Sequence, residues 1–476
     1  MSSDVESSSA GTSAEPGRHA RNPWLVFSVL ALIEFITVMD ASVVNIALPA
    51  IRDGLSFSPT TIAWVIDAYL VGFAGFLLLA GRATDFIGRR RLFLIGVVVF
   101  TVFSLACAAA VEPWHLVVAR VLQGFGAALV FPAALALITD IFPEGPSRGK
   151  AIGLFSGMAG LAAPVGLVLG GLLTTVSWEL IFLINIPIGL VVLVASFVLL
   201  PSPRPNPQGR LDVFGAVTFT GGLIMLILAM VRGGAQGWTS ALTLVELGVA
   251  AALLVAFVVR QRTAAEPLIP TVLLKMRNVS VGNIVFATVG TILISVFFFI
   301  TLYLQQVREF GSLEAALLYL PIPLGMFAGT QVAPRVLRFG PHNVLGAGLV
   351  IQAVALAAWA LAMSESGSLL LSFHVPATLW AFGLGMSIVS SFVVCTMGLE
   401  GPIAGAGSGM ATTSYQGGGA LGLAVLVVVA DAVTRGSSSP ADLISGYTAA
   451  LWVAVGIALV GALLTRLIMG GKQPAG

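Results

Sequence analysis

Gly81-Arg-Ala-Thr-Asp-Phe-Ile-Gly-Arg-Arg-Arg91 is a short charged stretch between two long apolar runs. The runs, 62–80 and 92–111, are each long enough to cross a bilayer as a helix. Charged side chains avoid the membrane interior, so the stretch between the runs must lie in water at one membrane face. Its four arginines indicate the cytoplasmic face, because loops rich in Lys and Arg stay on the inner side. The direction of every other apolar run follows by alternation.

The composition is that of a membrane protein along the whole chain. Of 476 residues, 58% are hydrophobic and 9% are charged, and the mean hydropathy is +1.02. Soluble proteins carry about 25% charged residues, so this chain could not cover a water-exposed surface. The positive residues are spread among short loops instead of forming a patch, which predicts no nucleic-acid partner.

Cysteine and histidine usage predicts neither disulfides nor metal. Cys107 and Cys395 both lie inside apolar runs and far apart in the chain, which is typical of reduced residues that pack in a core. The four histidines show no ligand spacing with acids or cysteines. We expect no metal and no cofactor.

The apolar runs predict an all-α membrane protein with fourteen transmembrane helices. At about 20 residues a span, the helices start near residues 24, 61, 92, 114, 151, 179, 212, 241, 279, 314, 344, 369, 408 and 447. An even count places both termini in the cytoplasm. Most of the 23 lysines and arginines then fall on the cytoplasmic side; the outer side receives Arg52, Arg232, Arg308 and Arg435, and Arg120 lies inside a span.

The helices divide into six, two and six. Residues 1–22 are predicted to be a disordered tail, 23–200 a six-helix bundle, 201–278 a linker with two extra helices, 279–468 a second six-helix bundle and 469–476 a tail. The extra pair is nearly free of ionisable residues, which suggests that it faces lipid. Phe86-Ile-Gly88 is echoed by Arg338-Phe-Gly340 at the corresponding place in the second half. Parallel halves of six helices are typical of one large class of transporter.

Asp40 in the first helix and Arg120 in the fourth are ionisable residues at membrane depth, which makes them functional candidates. A carboxyl group in a low-dielectric cavity can change protonation when the cavity opens to either side, so Asp40 is a candidate for proton coupling. The alternative is that Asp40 only bonds a neighbouring helix or an arginine. Arg120 either tunes the carboxyl group of the first helix or forms a structural ion pair.

Three further polar residues are candidates for contact with a substrate or cation. Glu34 is open between cation contact, proton carriage and a structural role, and Asp67 is more often structural. Asn45, five residues beyond Asp40, is placed near the same angular sector of the first helix.

The fifth helix is rich in small residues, namely Gly160, Pro164, Gly166, Gly170 and Gly171, which allow close packing and a bend. The chain has no nucleotide-binding loop, zinc-protease motif or nucleophile elbow, so we expect no enzyme.

From about residue 23 to 467 the chain resembles the fourteen-helix drug:proton antiporters of the major facilitator superfamily. The motifs that carry the resemblance are Gly81-Arg-Ala-Thr-Asp85-Phe-Ile-Gly88-Arg-Arg-Arg91, Met39-Asp40-Ala-Ser-Val-Val-Asn45-Ile-Ala-Leu-Pro49, Arg120-Val-Leu-Gln123-Gly124, Phe182-Leu-Ile-Asn185-Ile-Pro187-Ile-Gly189, Gly209-Arg-Leu-Asp212-Val-Phe-Gly215, Glu266-Pro267-Leu-Ile-Pro270 and Leu302-Tyr-Leu-Gln305-Gln306. One departure is at Gly166-Leu167, where the family often has Gly-Pro.

The resemblance implies export of bulky, lipophilic and often cationic compounds, coupled to proton entry. It implies proton coupling by Asp40 and Arg120, with Gln123 from the same helix-four motif as a further substrate contact. It also implies a cytoplasmic gate formed by Gly81, Asp85, Gly88, Arg89 and Arg90, and an antiporter role for the glycine-rich fifth helix.

Three hypotheses follow for the function. The first is a proton-coupled multidrug or antibiotic exporter of a bacterial plasma membrane, acting as a monomer on small molecules. The second is a dedicated carrier of one metabolite or self-made antibiotic. The third is a transporter-like membrane receptor or scaffold, which the costly buried Asp40 and Arg120 argue against.

Overall fold

The computed structural model describes residues 22–58, 61–142, 146–200, 212–399 and 402–468. These ranges contain helices and no strand. In chain order the helices are α1 Pro23–Leu55, α2 Trp64–Ile87, α3 Arg89–Ala108, α4 Pro113–Ile141, α5 Pro146–Thr174, α6 Leu180–Leu183, α7 Asn185–Leu199, α8 Val213–Gln236, α9 Ala241–Thr263, α10 Thr271–Lys275, α11 Arg277–Leu302, α12 Ser312–Leu318, α13 Pro321–Val336, α14 Pro341–Ala362, α15 Val375–Thr396, α16 Pro402–Thr434 and α17 Pro440–Ile468. Two π-helical turns, Tyr303–Val307 and Leu370–His374, and a 3-10 turn, Leu337–Phe339, complete the set.

The predicted all-α membrane fold is confirmed. Thirteen helical stretches in the described part of the chain are long and apolar enough to cross a membrane, and α5 adds a shorter described apolar stretch, Val165–Thr174. Some spans combine two helices: Leu180–Leu199 joins α6 to α7, and Ser312–Phe339 joins α12 to α13. The linker 201–207 and the two predicted tails lie almost wholly outside the described residues.

Prolines account for the largest boundary differences. Seven helices begin at a proline, where the fixed φ suits a first turn and the missing N–H has no partner to lose. α5 begins at Pro146, α16 at Pro402 and α17 at Pro440, each before the start predicted from hydropathy. Hydropathy marks only the apolar part of a span, whereas these helices continue into polar surroundings.

The two halves repeat the same backbone geometry at their charged loops. Gly88 and Gly340 have φ values of 92° and 97°, a region that favours glycine, and each precedes a helix, α3 and α14 respectively. Gly96 and Gly348 follow these glycines at equal intervals. A Cβ on Gly96 would lie 2.9 Å from the carbonyl oxygen of Gly126, and one on Gly348 would lie 2.9 Å from that of Gly383. The repeat detected in the sequence is therefore a repeat of helix packing.

A second pair of matched contacts aligns the first helix of each half. A Cβ on Gly166 of α5 would lie 2.7 Å from the carbonyl oxygen of Met39 in α1. A Cβ on Gly418 of α16 would lie 2.3 Å from the carbonyl oxygen of Ala287 in α11. This correspondence makes Thr288 the counterpart of Asp40 in the second half.

The two extra helices differ in their surroundings. α9 is largely exposed, with only 11% of its apolar window buried, as expected of a helix that faces lipid. α8 packs against both halves, since Gly75 of α2 meets Thr220 and Gly234 of α8 meets Val428 of α16. The expectation that the whole pair faces lipid is therefore wrong for α8, whose small residues let it approach α2 and α16.

Candidate polar site in the first bundle

Asp40 is the acceptor at the centre of a buried polar network. Arg120 Nη1 lies 2.5 Å from Asp40 Oδ2, and the two side chains are 1% and 0% exposed. Gln123 Nε2 donates to Asp40 Oδ1 at 2.9 Å, and Asn185 Nδ2 donates to the same oxygen at 2.6 Å. Both carboxylate oxygens thus have donors, which satisfies a charge that would otherwise be costly in the core.

Arg120 has several further partners. Its Nε donates to the carbonyl oxygen of Val65 at 2.9 Å, and its Nη1 donates to Gln123 Oε1 at 2.7 Å. The guanidinium carbon lies 4.4 Å from the centre of the Tyr69 ring and 5.7 Å from that of Phe182. Rings at these distances stabilise a desolvated cation. The arginine is therefore held on α2 as well as on α1.

An outer layer of small polar groups orients the two amides. Ser104 Oγ accepts from Gln123 Nε2 at 2.8 Å and itself donates to the carbonyl of Phe100. The Cys107 thiol donates to Gln123 Oε1 at 3.6 Å. The sequence reasoning did not assign Asn185, Ser104 or Cys107 to this site. Asn185 is an amide inside the apolar run 182–189, and a polar residue in such a run is the sequence feature that could have indicated its role.

Close helix contacts place these side chains. A Cβ on Gly72 of α2 or Gly124 of α4 would collide with the backbone of the other helix, at Val121 and Tyr69 respectively. Asn185 is the first residue of α7, directly after the break that ends α6. The glycines therefore let α2 and α4 pack closely, which places Arg120 beside α2. The break between α6 and α7 places the Asn185 amide next to Asp40.

The second bundle has no equivalent cluster at the matching positions. Thr288 stands for Asp40. Pairing Gly126 with Gly383 gives Ala377 for Arg120 and Trp380 for Gln123, and pairing Gly124 with Gly385 gives Ala381 and Leu384, so neither alignment provides a charged residue. Trp380 is fully buried. The charged chemistry of the paired positions therefore lies in the first half alone.

Asp67 and Glu34 are buried differently from Asp40. Asp67 is fully buried, and neither carboxylate oxygen has a hydrogen-bond partner among the described residues. Glu34 is 7% exposed, and no hydrogen-bond donor of the described residues contacts its carboxylate. Neither acid is paired with an arginine or lysine of the described part.

Asn45 does not join the Asp40 network. Its amide nitrogen donates to the carbonyl of Ala41 at 3.0 Å, and its buried oxygen has no partner among the described residues. Five residues advance a helix by about 500°, so Asn45 points about 140° away from Asp40 and the expectation of a shared sector is wrong. Asn45 instead shares a side of α1 with Glu34, eleven residues earlier and only about 20° away.

A cavity of about 420 Å³ opens between α1 and α5, close to Glu34 in sequence. Its lining is apolar apart from one serine and consists of Phe27, Ser28, Ala31, Leu32, Phe35 and Met158. The cavity is mostly open, so it is a groove in the surface of the bundle and not an enclosed pocket.

The predicted gate residues contact their own bundle. Arg89 pairs with Asp140 at the end of α4 and donates to the carbonyl of Ala136, and Arg90 donates to the carbonyl of Phe197. A Cβ on Gly81 would meet no atom within 4 Å, and Gly88 makes the left-handed turn described above. The side chain of Asp85 lies outside the described part, so its gate role stays a prediction.

Glycines of α5 serve two different contacts. Gly166 and Gly170 face α1 in the same bundle, where a Cβ on Gly170 would lie 2.9 Å from the carbonyl of Val43. Gly171 faces the other bundle, because a Cβ there would lie 2.8 Å from Cβ of Ala316 in α12. The surroundings of Gly160 and Pro164 lie outside the described part, so the bend expected at Pro164 stays a prediction.

A second contact joins the bundles on the same side of the membrane as Gly171. Gln305, in the π-helical turn after α11, donates from Nε2 to the carbonyl of Ile46 in α1 at 2.9 Å. The adjacent Gln306 accepts from the hydroxyl of Tyr447 in α17 at 3.2 Å, within the second bundle. Together the Gln305 and Gly171 contacts close the molecule on the side opposite the charged loops.

Two pseudo-symmetric bundles that are closed on one side and carry a buried acid define a membrane transporter of small molecules. The family model for the Major Facilitator Superfamily matches residues 30–423, and the chain belongs to that family. It is a multi-pass membrane protein and a transporter, not an enzyme.

Several relatives are named for antibiotic export or resistance. The chain is 39% identical to the cephamycin export protein of Amycolatopsis lactamdurans, covering 89% of this chain and 87% of that one. It is 33% identical to the puromycin resistance protein of Streptomyces alboniger, covering 99% and 96%. It is also 33% identical to the tetracenomycin C resistance and export protein of Streptomyces glaucescens, covering 90% and 80%.

Solved structures share the fold. The inward-open xylose transporter of E. coli superposes with a TM-score of 0.63 at 13% identity, covering 95% of this chain and 98% of that one. A peptide transporter in complex with sulfate superposes with a TM-score of 0.68 at 17% identity, covering 94% of each chain.

Proposed function

We propose that this protein exports lipophilic, often cationic drugs or antibiotics from a bacterial cytoplasm by alternating access, driven by protons that enter in exchange. The observation that carries the proposal is the sealed network in which Arg120, Gln123 and Asn185 all hold the single carboxyl group of Asp40. The names of the relatives support the substrate class.

Protonation of Asp40 is the proposed coupling event. A neutral Asp40 no longer attracts Arg120 by charge, and Arg120 then keeps its contacts with Val65 and Gln123. The tie between α1 and α4 weakens while the tie between α4 and α2 remains. α1 also carries the Ile46 contact to the second bundle, so a change at Asp40 reaches the closed side through the same helix. Protons serve as the coupling ion, and no cofactor is required.

Glu34 is the proposed contact for cationic substrates. It is an almost wholly buried acid without a donor in the described ranges, and the apolar cavity at Phe27, Leu32 and Phe35 lies along the same helix. An aromatic and aliphatic lining suits a lipophilic compound, and an acid on the same helix suits its positive charge. Asn45 lies farther along the same side of α1 and can add a polar contact. Asp67 is the proposed second acid for a proton or a cation.

The charged-loop side is assigned to the cytoplasm, with both termini there, because Arg82 and Arg89–Arg91 lie on it. The membrane is the bacterial inner membrane, and the monomer contains a complete pair of bundles. In this assignment Gly171 and Gln305 close the outer side. When the bundles close on the cytoplasmic side instead, Asp85, Arg89 and Arg90 act as the gate there.

The relatives favour one variation on this proposal. Their names each give a single antibiotic, such as cephamycin or puromycin, which suits a dedicated self-resistance exporter as well as a multidrug pump. The network at Asp40 serves either substrate range.

Inverted vesicles test the function and its substrate range together. Vesicles with a preset pH gradient are given a panel of lipophilic cations, neutral drugs, antibiotics and metabolites. Substrate-dependent collapse of the gradient by several panel members supports a multidrug exporter, and collapse by one supports a dedicated carrier. If no compound moves protons and none accumulates in energised vesicles, the proposed transport is wrong. Glu34→Gln is expected to reduce the response to cations and to spare neutral compounds.

A further inference from the structure

The loop that follows the two extra helices reaches both bundles on the charged-loop side. It runs from Ala264 through the short helix α10 to the start of α11. None of its residues takes part in the network at Asp40. Its contacts with α2 are therefore unexplained by the transport chemistry.

Arg82, near the end of α2, is the main link to this loop. Its Nη2 lies 2.5 Å from Glu266 Oε2, and its Nη1 donates to the carbonyls of Glu266 at 3.3 Å and Pro267 at 3.0 Å. The guanidinium thus holds a side chain and two backbone carbonyls of one segment. Such a forked arrangement fixes position better than a single ion pair does.

The loop is also fastened to the extra helices. Gln261 of α9 accepts from the backbone N–H of Leu268 at 2.8 Å and donates to the carbonyl of Ile269 at 3.1 Å. Asp212, which caps α8, is bonded by Arg260 of α9 at 2.9 Å. The loop and the two extra helices therefore form one connected unit.

A separate apolar cluster joins this unit to three other transmembrane helices. Its members come from α2, α8, the loop with α10, α11 and α16, and they are Leu78, Ala216, Leu268, Leu273, Val279 and Met410. Leu273 and Val279 are fully buried. α2 belongs to the first bundle, whereas α11 and α16 belong to the second, so the cluster spans the seam between them.

We propose that the extra helix pair and its following loop form a strap that ties α2 to α11 and α16 and limits how far the bundles separate on the charged-loop side. Arg82 is its fastening to the first bundle, and the apolar cluster is its fastening to the second. The strap acts on the conformational equilibrium and leaves the proton site untouched.

The fastening is tested by the reactivity of a buried cysteine in purified protein in lipid nanodiscs. Leu273→Cys places a thiol in the cluster, while the native Cys107 and Cys395 are buried. Its reaction with a polar maleimide is slow in the otherwise unchanged chain. Arg82→Gln is expected to speed the reaction several-fold. Glu266→Gln, which keeps the two carbonyl contacts, is expected to speed it less, and this milder variant maintains the test if Arg82→Gln folds poorly.

Arg232→Gln is the matched control. Arg232 pairs with Glu246 at 2.9 Å, an arginine–glutamate pair whose arginine is as exposed as Arg82 and which joins α8 only to α9. It is expected to leave the reactivity of Leu273→Cys unchanged. Equal rates in the Arg82→Gln and parent proteins, or equal acceleration by Arg232→Gln, would overturn the fastening.

The limit on separation is tested by the distance between spin labels at Ser147→Cys and Phe339→Cys. Both positions are exposed and lie at the charged-loop ends of α5 and α13. Arg82→Gln is expected to extend the distance distribution to longer values, and Arg232→Gln is not. An unchanged distribution in Arg82→Gln would overturn the strap. Neither measurement uses a substrate or a pH gradient, so both results are independent of the proposed export function.

Discussion

Arg120 and Asp40 are 80 residues apart in the chain, and their side chains meet at 2.5 Å with almost no exposure to solvent. The pair joins α4 to α1, and the guanidinium also bonds α2 through Val65. A buried pair of this kind contributes little net stability when complete, because desolvation offsets attraction. The proposed function gives the pair a second role, a change of charge during transport.

The first prediction concerns stability. Arg120→Gln is expected to lower the free energy of unfolding by about 3–5 kcal/mol, because it leaves the buried Asp40 charge without its counterion. Adding Asp40→Asn is expected to recover part of this loss, since the uncompensated charge is then removed. Thermal unfolding of the purified variants in detergent measures both effects.

Arg52→Gln provides the control for that measurement. Arg52 pairs with Asp53 at 3.0 Å in the last turn of α1, at the surface, where a pair contributes about 0–1 kcal/mol. If Arg120→Gln were no less stable than Arg52→Gln, the account of the buried pair would be wrong.

The second prediction concerns Asp67. Asp67→Leu and Asp67→Asn are expected to raise the unfolding temperature, because burial of an acid without a hydrogen-bond partner costs stability. The same variants are expected to reduce transport, since an acid that destabilises the fold is retained for function. A lower unfolding temperature would show that Asp67 has a stabilising partner.

The third prediction concerns closure on the outer side. Gly171→Val is expected to hold the bundles apart there, because its side chain would overlap Ala316. Ala316→Cys is buried in the closed arrangement and should therefore react faster with a polar maleimide in the Gly171→Val background. Gly456→Ala, where a Cβ meets no atom within 4 Å, should leave that rate unchanged. Equal rates in all three proteins would rule out a role for Gly171 in closure.

The fourth prediction separates two adjacent glutamines. Gln305→Leu removes the bond to Ile46 that crosses between bundles and is expected to increase the reactivity of Ala316→Cys. Gln306→Leu removes the bond with Tyr447 inside the second bundle and is expected to have no such effect. A larger effect of Gln306→Leu than of Gln305→Leu would show that Gln305 does not make the contact between the bundles.

Sequence reasoning reached the number of spans, the parallel halves and the position of Asp40 and Arg120 inside the membrane-spanning bundle. Hydropathy and loop charge carry that information, because the bilayer imposes them on each span separately. It did not reach Ser104 or Cys107, since a small polar residue in an apolar helix usually bonds its own backbone. It also misplaced Asn45, because five residues turn a helix by about 500° and do not return a side chain to the same side.

Contacts between distant helices were beyond sequence reasoning for a physical reason. Hydropathy within one span does not indicate which neighbour a side chain meets, because packing between small residues sets each helix's rotation and depth. Gly166 and Gly171 look alike in the sequence, yet one packs within its bundle and the other across the two bundles. The link from Arg82 to Glu266 spans 184 residues and passes through a loop that hydropathy does not describe.

The fifth prediction tests proton coupling at Asp40, the central claim. Inverted vesicles containing either the parent protein or Asp40→Asn are given a preset pH gradient and then a compound that collapses it in the parent. Asp40→Asn is expected to remain folded, because Arg120 keeps its bonds to Val65 and Gln123 and its contact with the Tyr69 ring, and to abolish substrate-dependent collapse. Asp53→Asn, at the exposed pair, should behave as the parent does. Collapse of the gradient at the parental rate by folded Asp40→Asn would contradict proton coupling through this network.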